Sequence, residues 1–191
     1  MNGLNASRIN GGNTAYARAK GDLYPTPPEV TYALLDFLGL FGGTKIWEPA
    51  CGNGDMVREM EAWGYQVIGT DISMGQDFLT TSPVPCDWII TNPPFSLSEG
   101  FVRRCWNIGK PFALLLKSQF WHARKRMKLF RDAPPAWVLP LTWRPDFLSK
   151  TRGGKPLMDV LWCVWVPGKP SFGTHYQPLS RPKVRRSWNA E

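Results

Sequence analysis

Four consecutive residues, Asn92-Pro93-Pro94-Phe95, combine a side-chain amide, two rigid imide linkages and an aromatic face. An exocyclic amine on a purine ring is a poor nucleophile, because its lone pair is delocalised into the ring. The amide oxygen of Asn92 and the carbonyl of Pro93 are suited to accept its two N–H hydrogens, which favours a pyramidal nitrogen with an outward-pointing lone pair. Pro93 and Pro94 stiffen the backbone that carries this carbonyl, and Phe95 offers a face on which a flat ring stacks. The apolar run Cys86 to Thr91 is too short for a helix and is stopped by the double proline, which puts the tetrapeptide at the C-terminal end of a buried strand. A plain turn is the other use of such a sequence.

A second cluster lies upstream, at Glu48-Pro49-Ala50-Cys51-Gly52-Asn53-Gly54. Gly52 and Gly54 follow a strand and precede a helix, so the backbone there can turn tightly and approach a ligand closely. Asp71 ends the next strand, where a carboxylate accepts both hydroxyls of a ribose. A dinucleotide site needs a third glycine and room for pyrophosphate, but Val57 stands in that place and acids flank the loop. Glu48 suits a cationic ligand instead, such as the ammonium and sulfonium groups of S-adenosylmethionine. The alternative is that Glu48 and Asp71 are ordinary polar residues at strand ends.

The elements that must hold these groups alternate. Thr26-Pro27-Pro28-Glu29 reads as a capping residue, proline at the first helical position and a glutamate completing a capping box, with Val30, Leu34, Phe37, Leu38 and Phe41 following at helical spacing. Strands are expected over Thr44 to Glu48, Gln66 to Asp71, Cys86 to Thr91 and Pro111 to Leu116. Helices are expected over Asp55 to Trp63, after a second capping box at Ser96 and Glu99, and over Gln119 to Phe130. The last third changes character: Ala136 to Leu141 and Met158 to Val166 read as strands joined by a basic segment without a helix, hence a hairpin. Such alternation closed by a hairpin implies an α/β sandwich around a mostly parallel sheet with one antiparallel strand. Ligands in these sheets bind beyond the strand C-termini, where both motifs fall.

In this order, the motifs resemble those of the amino-methyltransferase family, specifically the N6-adenine DNA methyltransferases in which the cofactor motif precedes NPPF. Asp22 to Pro27 resembles the family's N-terminal motif, with Tyr24, Thr26 and Pro27 against the methionine part of the cofactor. Glu48, Pro49, Ala50, Cys51, Gly52 and Gly54 match its cofactor loop. Asp71, with Ile72 beside it, matches the ribose-binding acid, and Asp77-Phe78 the adenine-binding pair. Asn92, Pro93, Pro94 and Phe95 match the catalytic motif. The resemblance spans about residues 22 to 166. It implies a class I methyltransferase, Rossmann-like α/β fold with a mostly parallel seven-stranded sheet, one antiparallel strand and helices on both faces. It implies S-adenosyl-L-methionine as cofactor and methyl transfer to adenine N6 in DNA, duplex or single-stranded. A duplex target must first be flipped out of its stack.

Composition fits that expectation. The chain has 191 residues, enough for one full core and too few for a further large specificity domain. We therefore expect an N-terminal arm at 1–21, one catalytic domain at 22–170 and a basic tail at 171–191. A formal charge of +8 suits a polyanionic partner. The candidate nucleic-acid contacts are Lys117, Arg124 and Lys125, together with Trp143, Arg144, Phe147, Lys150 and Arg152 of the hairpin segment, where packing beneath the loop is the alternative for Trp143 and Phe147. The four cysteines are far apart and mostly among apolar residues, so no zinc site is expected and the thiols should be reduced. With no signal-like or membrane-spanning stretch, a cytoplasmic protein of a bacterium or phage-infected cell, monomeric and away from membranes, is the expectation. No insertion resembles a target-recognition domain, so relaxed or very short site preference is expected. Three rival readings stay open: RNA adenine-N6 methylation, glutamine methylation of a protein, and a nucleic-acid-binding module that has lost turnover.

Overall fold

The computed structural model describes residues 24–147, 158–168 and 173–183. The chain enters through α1 (Pro28–Leu38), continues through β1 (Lys45–Glu48), α2 (Asp55–Ala62), β2 (Gln66–Gly69) and β3 (Trp88–Thr91), then through α3 (Ser98–Ile108) and β4 (Phe112–Lys117). After α4 (Met127–Asp132) come β5 (Trp137–Pro140), β6 (Val160–Trp165) and β7 (His175–Tyr176). The seven strands form one sheet in the order β2-β1-β3-β4-β6-β5-β7. Strand β6 runs antiparallel to both its neighbours, and every other pairing is parallel. This is the expected α/β architecture, with the hairpin formed by β5 and β6.

Side-chain alternation along the central strands divides the core between two faces. Ile46, Ile90, Ala113, Leu115, Trp162 and Val164 point toward α1 and α2, where Val30, Leu34, Leu35, Met56 and Met60 cover them. Trp47, Ile89, Phe112, Leu114, Leu116, Cys163 and Trp165 point toward α3 and α4, against Phe101, Val102, Cys105 and Leu129. With both faces covered, β4 and β6 read as continuous apolar runs. The buried indoles are anchored by their polar ends. Trp162 donates from Nε1 to the Val30 carbonyl at 2.9 Å, Trp165 to that of Ala133 at 3.0 Å, and Trp47 to Thr70 Oγ1 at 2.8 Å. All four cysteines are buried and unpaired.

Three local expectations are corrected. Thr26 does not cap α1: Pro27 is the N-cap, without a side-chain cap hydrogen bond, because the Thr26 hydroxyl is engaged by Asn92. Ser96 does not cap α3 either. Pro94 remains extended (φ −51°, ψ 122°), so Phe95–Leu97 forms a 3-10 turn, and Leu97 becomes the N-cap of α3. Glu99 pairs with Arg103 and Arg126 instead of closing a capping box. The basic helix over Gln119 to Phe130 is broken into 3-10 turns at Ser118–Trp121 and Arg124–Arg126, followed by α4. Aromatic packing decides this: Trp121 stacks on Phe130 at 4.6 Å, and Arg126 donates to the Phe120 carbonyl at 2.9 Å. The segment folds back on itself, and Ala123 leaves the helical region.

Candidate active site

Beyond β1 the sheet order runs one way to β2 and the other way to β3, which opens a crevice at the C-terminal ends of β1 and β3. A cleft of about 270 Å3 lies there, lined by Tyr24, Thr26, Glu48, Ala50, Cys51, Gly52, Asp71, Ile72, Asn92 and Pro94 among the sequence-derived candidates. It also takes in Pro25 and Asn53, which stand inside the N-terminal motif and the cofactor loop, and Asp55, Met56 and Ser73, which sequence reasoning did not single out. A larger cavity of about 500 Å3 between Tyr32, Asp36, Trp63 and Lys183 contains none of these groups.

The loop after β1 is shaped by backbone geometry. Gly52 and Gly54 hold φ of 51° and 77°, a region that residues with a Cβ adopt only under strain. The Cys51 amide donates to the Thr70 carbonyl at 3.0 Å, which ties the loop to the end of β2. There the Asp71 carboxylate accepts from the amides of Gly52, at 3.0 Å, and Ser73, at 2.8 Å. Burial opposes its ionisation, yet the hydrogen bonds from Ser73 and Gly52 prevail and hold the carboxyl below its ordinary range. Ile72, next to it, is 71% exposed although it is apolar, and its side chain forms part of the cleft rim.

Glu48 is the contrasting acid. Its side chain is 2% exposed, Oε2 has no hydrogen-bond partner, and the carboxyl is pushed up to about 8, first by burial and then by the charges of Asp55 and Asp71. Among the described residues, no lysine or arginine lines the cleft. Arg58 is bound to Asp55 and to the Asn53 carbonyl.

Opposite these acids stands Asn92. Its Nδ2 donates to the Tyr24 carbonyl at 3.3 Å and to Thr26 Oγ1 at 3.0 Å. A carbonyl can only accept, so the amide nitrogen must face Tyr24 and the oxygen must face away. That Oδ1 is buried and has no partner. Pro93 is buried, and Phe95 is partly buried with the Lys117 ammonium 4.4 Å from its ring centroid and the Tyr24 ring 5.8 Å away. Phe147 is buried in the core with its ring edge-on to Tyr24 at 6.4 Å, and Trp143 is partly buried against the same core.

Other candidates lie apart. Phe78 is in the core between Trp47 and Phe101, and Asp77 accepts from the Leu79 amide at 2.9 Å; neither lines the cleft. Pro27 and Pro49 flank it without lining it. Arg124 and Lys125 are exposed on their 3-10 turn, and Arg144 pairs with Asp159 at 2.7 Å. Lys150, Arg152 and the 1–21 arm lie outside the described residues.

Neither a family model nor a curated protein matches the sequence. Solved structures do match in fold. One, described as a class I S-adenosylmethionine-dependent methyltransferase from Listeria monocytogenes, is 16% identical with a TM-score of 0.59, the alignment covering 88% of this chain and 69% of that one. The methyltransferase subunit of a type I restriction-modification system from Streptococcus thermophilus is 12% identical with a TM-score of 0.63, over 81% of this chain and 47% of the other, so this chain spans about half its length. A dimethyladenosine transferase from Plasmodium falciparum is 14% identical with a TM-score of 0.56, covering 77% of this chain and 64% of that one. The likeness is one of fold: this chain has the Rossmann-like α/β fold of class I methyltransferases.

Proposed function

We propose that this protein transfers a methyl group from S-adenosylmethionine to N6 of adenine in DNA. The observation that carries the reading is the Asn92 amide: its nitrogen is fixed by Tyr24 and Thr26, and its buried oxygen is left without a partner at the rim of an acid-lined cleft. A buried acceptor without a donor costs about 1–3 kcal/mol, an expense that a bound N–H donor would offset.

The cleft fits the cofactor. Its acids, Glu48, Asp55 and Asp71, suit a cationic methionine end and a ribose, and would repel a pyrophosphate. When bound, S-adenosylmethionine supplies an electrophilic methyl group on sulfur. The protein's part is positioning. Asp71, held by two backbone amides, has lone pairs left for ribose hydroxyls. Asn92 Oδ1 and the Pro93 carbonyl accept the two amine hydrogens and turn the lone pair toward the cleft, and Phe95 supports the ring. No dedicated base is required. The exposed Arg124 and Lys125, with the net charge of +8, supply phosphate contacts.

Incubation of the protein with labelled S-adenosylmethionine and defined duplex DNA, single-stranded DNA and structured RNA, followed by nucleoside analysis, tests the reading. Label in N6-methyladenine from DNA is expected. Label only in N4-methylcytosine, or only in RNA, moves the substrate, and none in any nucleic acid removes the proposal. Asn92→Ala is expected to lower transfer by at least about 100-fold, in the range of a lost preorganised acceptor, while cofactor and DNA binding persist.

A further inference from the structure

Among the described residues, the charges that act on the Glu48 carboxyl are those of acids. Asp55 at the start of α2 and Asp71 at the end of β2 both disfavour a second negative charge beside them. The Cys51 thiol in the connecting loop is itself pushed up by burial and by Glu48. From α2, Arg58 points to Asp55 and the Asn53 carbonyl. Neither His122 nor His175 lines the cleft. A carboxyl that is buried, faces two acids and has an oxygen without a partner is held in its neutral form.

We propose that Glu48 couples cofactor binding to proton release: it stands protonated in the free protein and loses its proton to solvent as the cationic end of S-adenosylmethionine arrives. The O–H bond of the carboxyl breaks, the proton passes to the buffer, and the carboxylate becomes the ionic partner of the cation. This inference rests on the reading that the cleft takes this cofactor. Its consequence is that affinity rises by about tenfold per pH unit until the carboxyl ionises unaided. The raised Glu48 carboxyl, at about 8, places that limit above neutrality.

Titration calorimetry on the full chain in buffers of different ionisation enthalpy measures the released proton directly. At about pH 6.5 the α-amino group of the cofactor is itself protonated and does not obscure the count. Binding of S-adenosylmethionine is expected to release about one proton, and binding of adenosine, which carries no cation, none. Glu48→Gln is expected to abolish the release and flatten the pH dependence of affinity. Cofactor binding without proton release overturns the coupling and leaves the functional reading standing; equal release with adenosine, or release persisting in Glu48→Gln, also overturns it. Failure of the protein to bind S-adenosylmethionine at all removes both. Should the variant not fold, the wild-type comparison of the two ligands still decides.

Discussion

The polar groups of the cleft differ in how each is satisfied. Asp71 is ionised because backbone amides reach it, while Glu48, at the end of the neighbouring strand, has no such donors on Oε2 and is driven toward its neutral form. For Glu48 the folded value near 8 lies above the ordinary glutamate range, so the native state retains a proton that the unfolded chain has lost between those limits. Stability from this group is therefore fully present below the unfolded value and is lost as pH rises through the folded one. The ligand-free protein should lose stability between about pH 5 and pH 8, by up to a few kcal/mol, and Glu48→Gln should remove that slope. Thermal melts of both proteins across this range check it; parallel melting curves would contradict it. The sequence marked both acids as candidates. It gave them different ligand groups but did not distinguish their proton affinities, which depend on the donors and charges the fold brings near.

Among the elements, β2 and α2 lie close against the loop after β1. A Cβ placed on Gly69 in β2 would stand 3.0 Å from Val57 Cγ2 and 3.3 Å from Cys51 Sγ, so only glycine lets α2 and the loop lie this near the strand. Gly69→Ala is expected to displace Cys51 and weaken S-adenosylmethionine binding by about tenfold, with a stability loss of about 1–3 kcal/mol for the overpacking. Calorimetry together with denaturant unfolding separates the two effects. Gly52 and Gly54 were legible as loop glycines because they stand between a strand and a helix, whereas Gly69 has no local signal. Thr26 shows the same limit from the other side. Its sequence context is that of a helix cap, yet Asn92, 66 residues away in the chain, takes the hydroxyl. Local pattern predicted the helix correctly and misassigned the side chain at its start, since the competing partner arrives only through tertiary contact.

For the whole molecule, a charge of +8 and an exposed basic turn at Arg124 and Lys125 argue for binding that is strongly salt-dependent. A double Arg124→Ala, Lys125→Ala variant should reduce the slope of log affinity for DNA against log salt by about two, with little change in S-adenosylmethionine binding. An unchanged slope would take the nucleic acid off this surface.

The sequence by itself determined the alternation of strands and helices, the closing hairpin and the two motifs at strand ends, because hydrophobic period, glycine and proline act over a few residues. Tertiary structure alone decided that Asn92 is turned by Tyr24 and Thr26, that Phe147 is buried against Tyr24, and that the basic stretch after β4 breaks around stacked Trp121 and Phe130. It also left Phe78 in the core, away from the cleft. Most of these outcomes turn on a partner distant in sequence, and the strength of a hydrogen bond, a buried charge or an aromatic contact is fixed by what the fold places within a few ångströms of it.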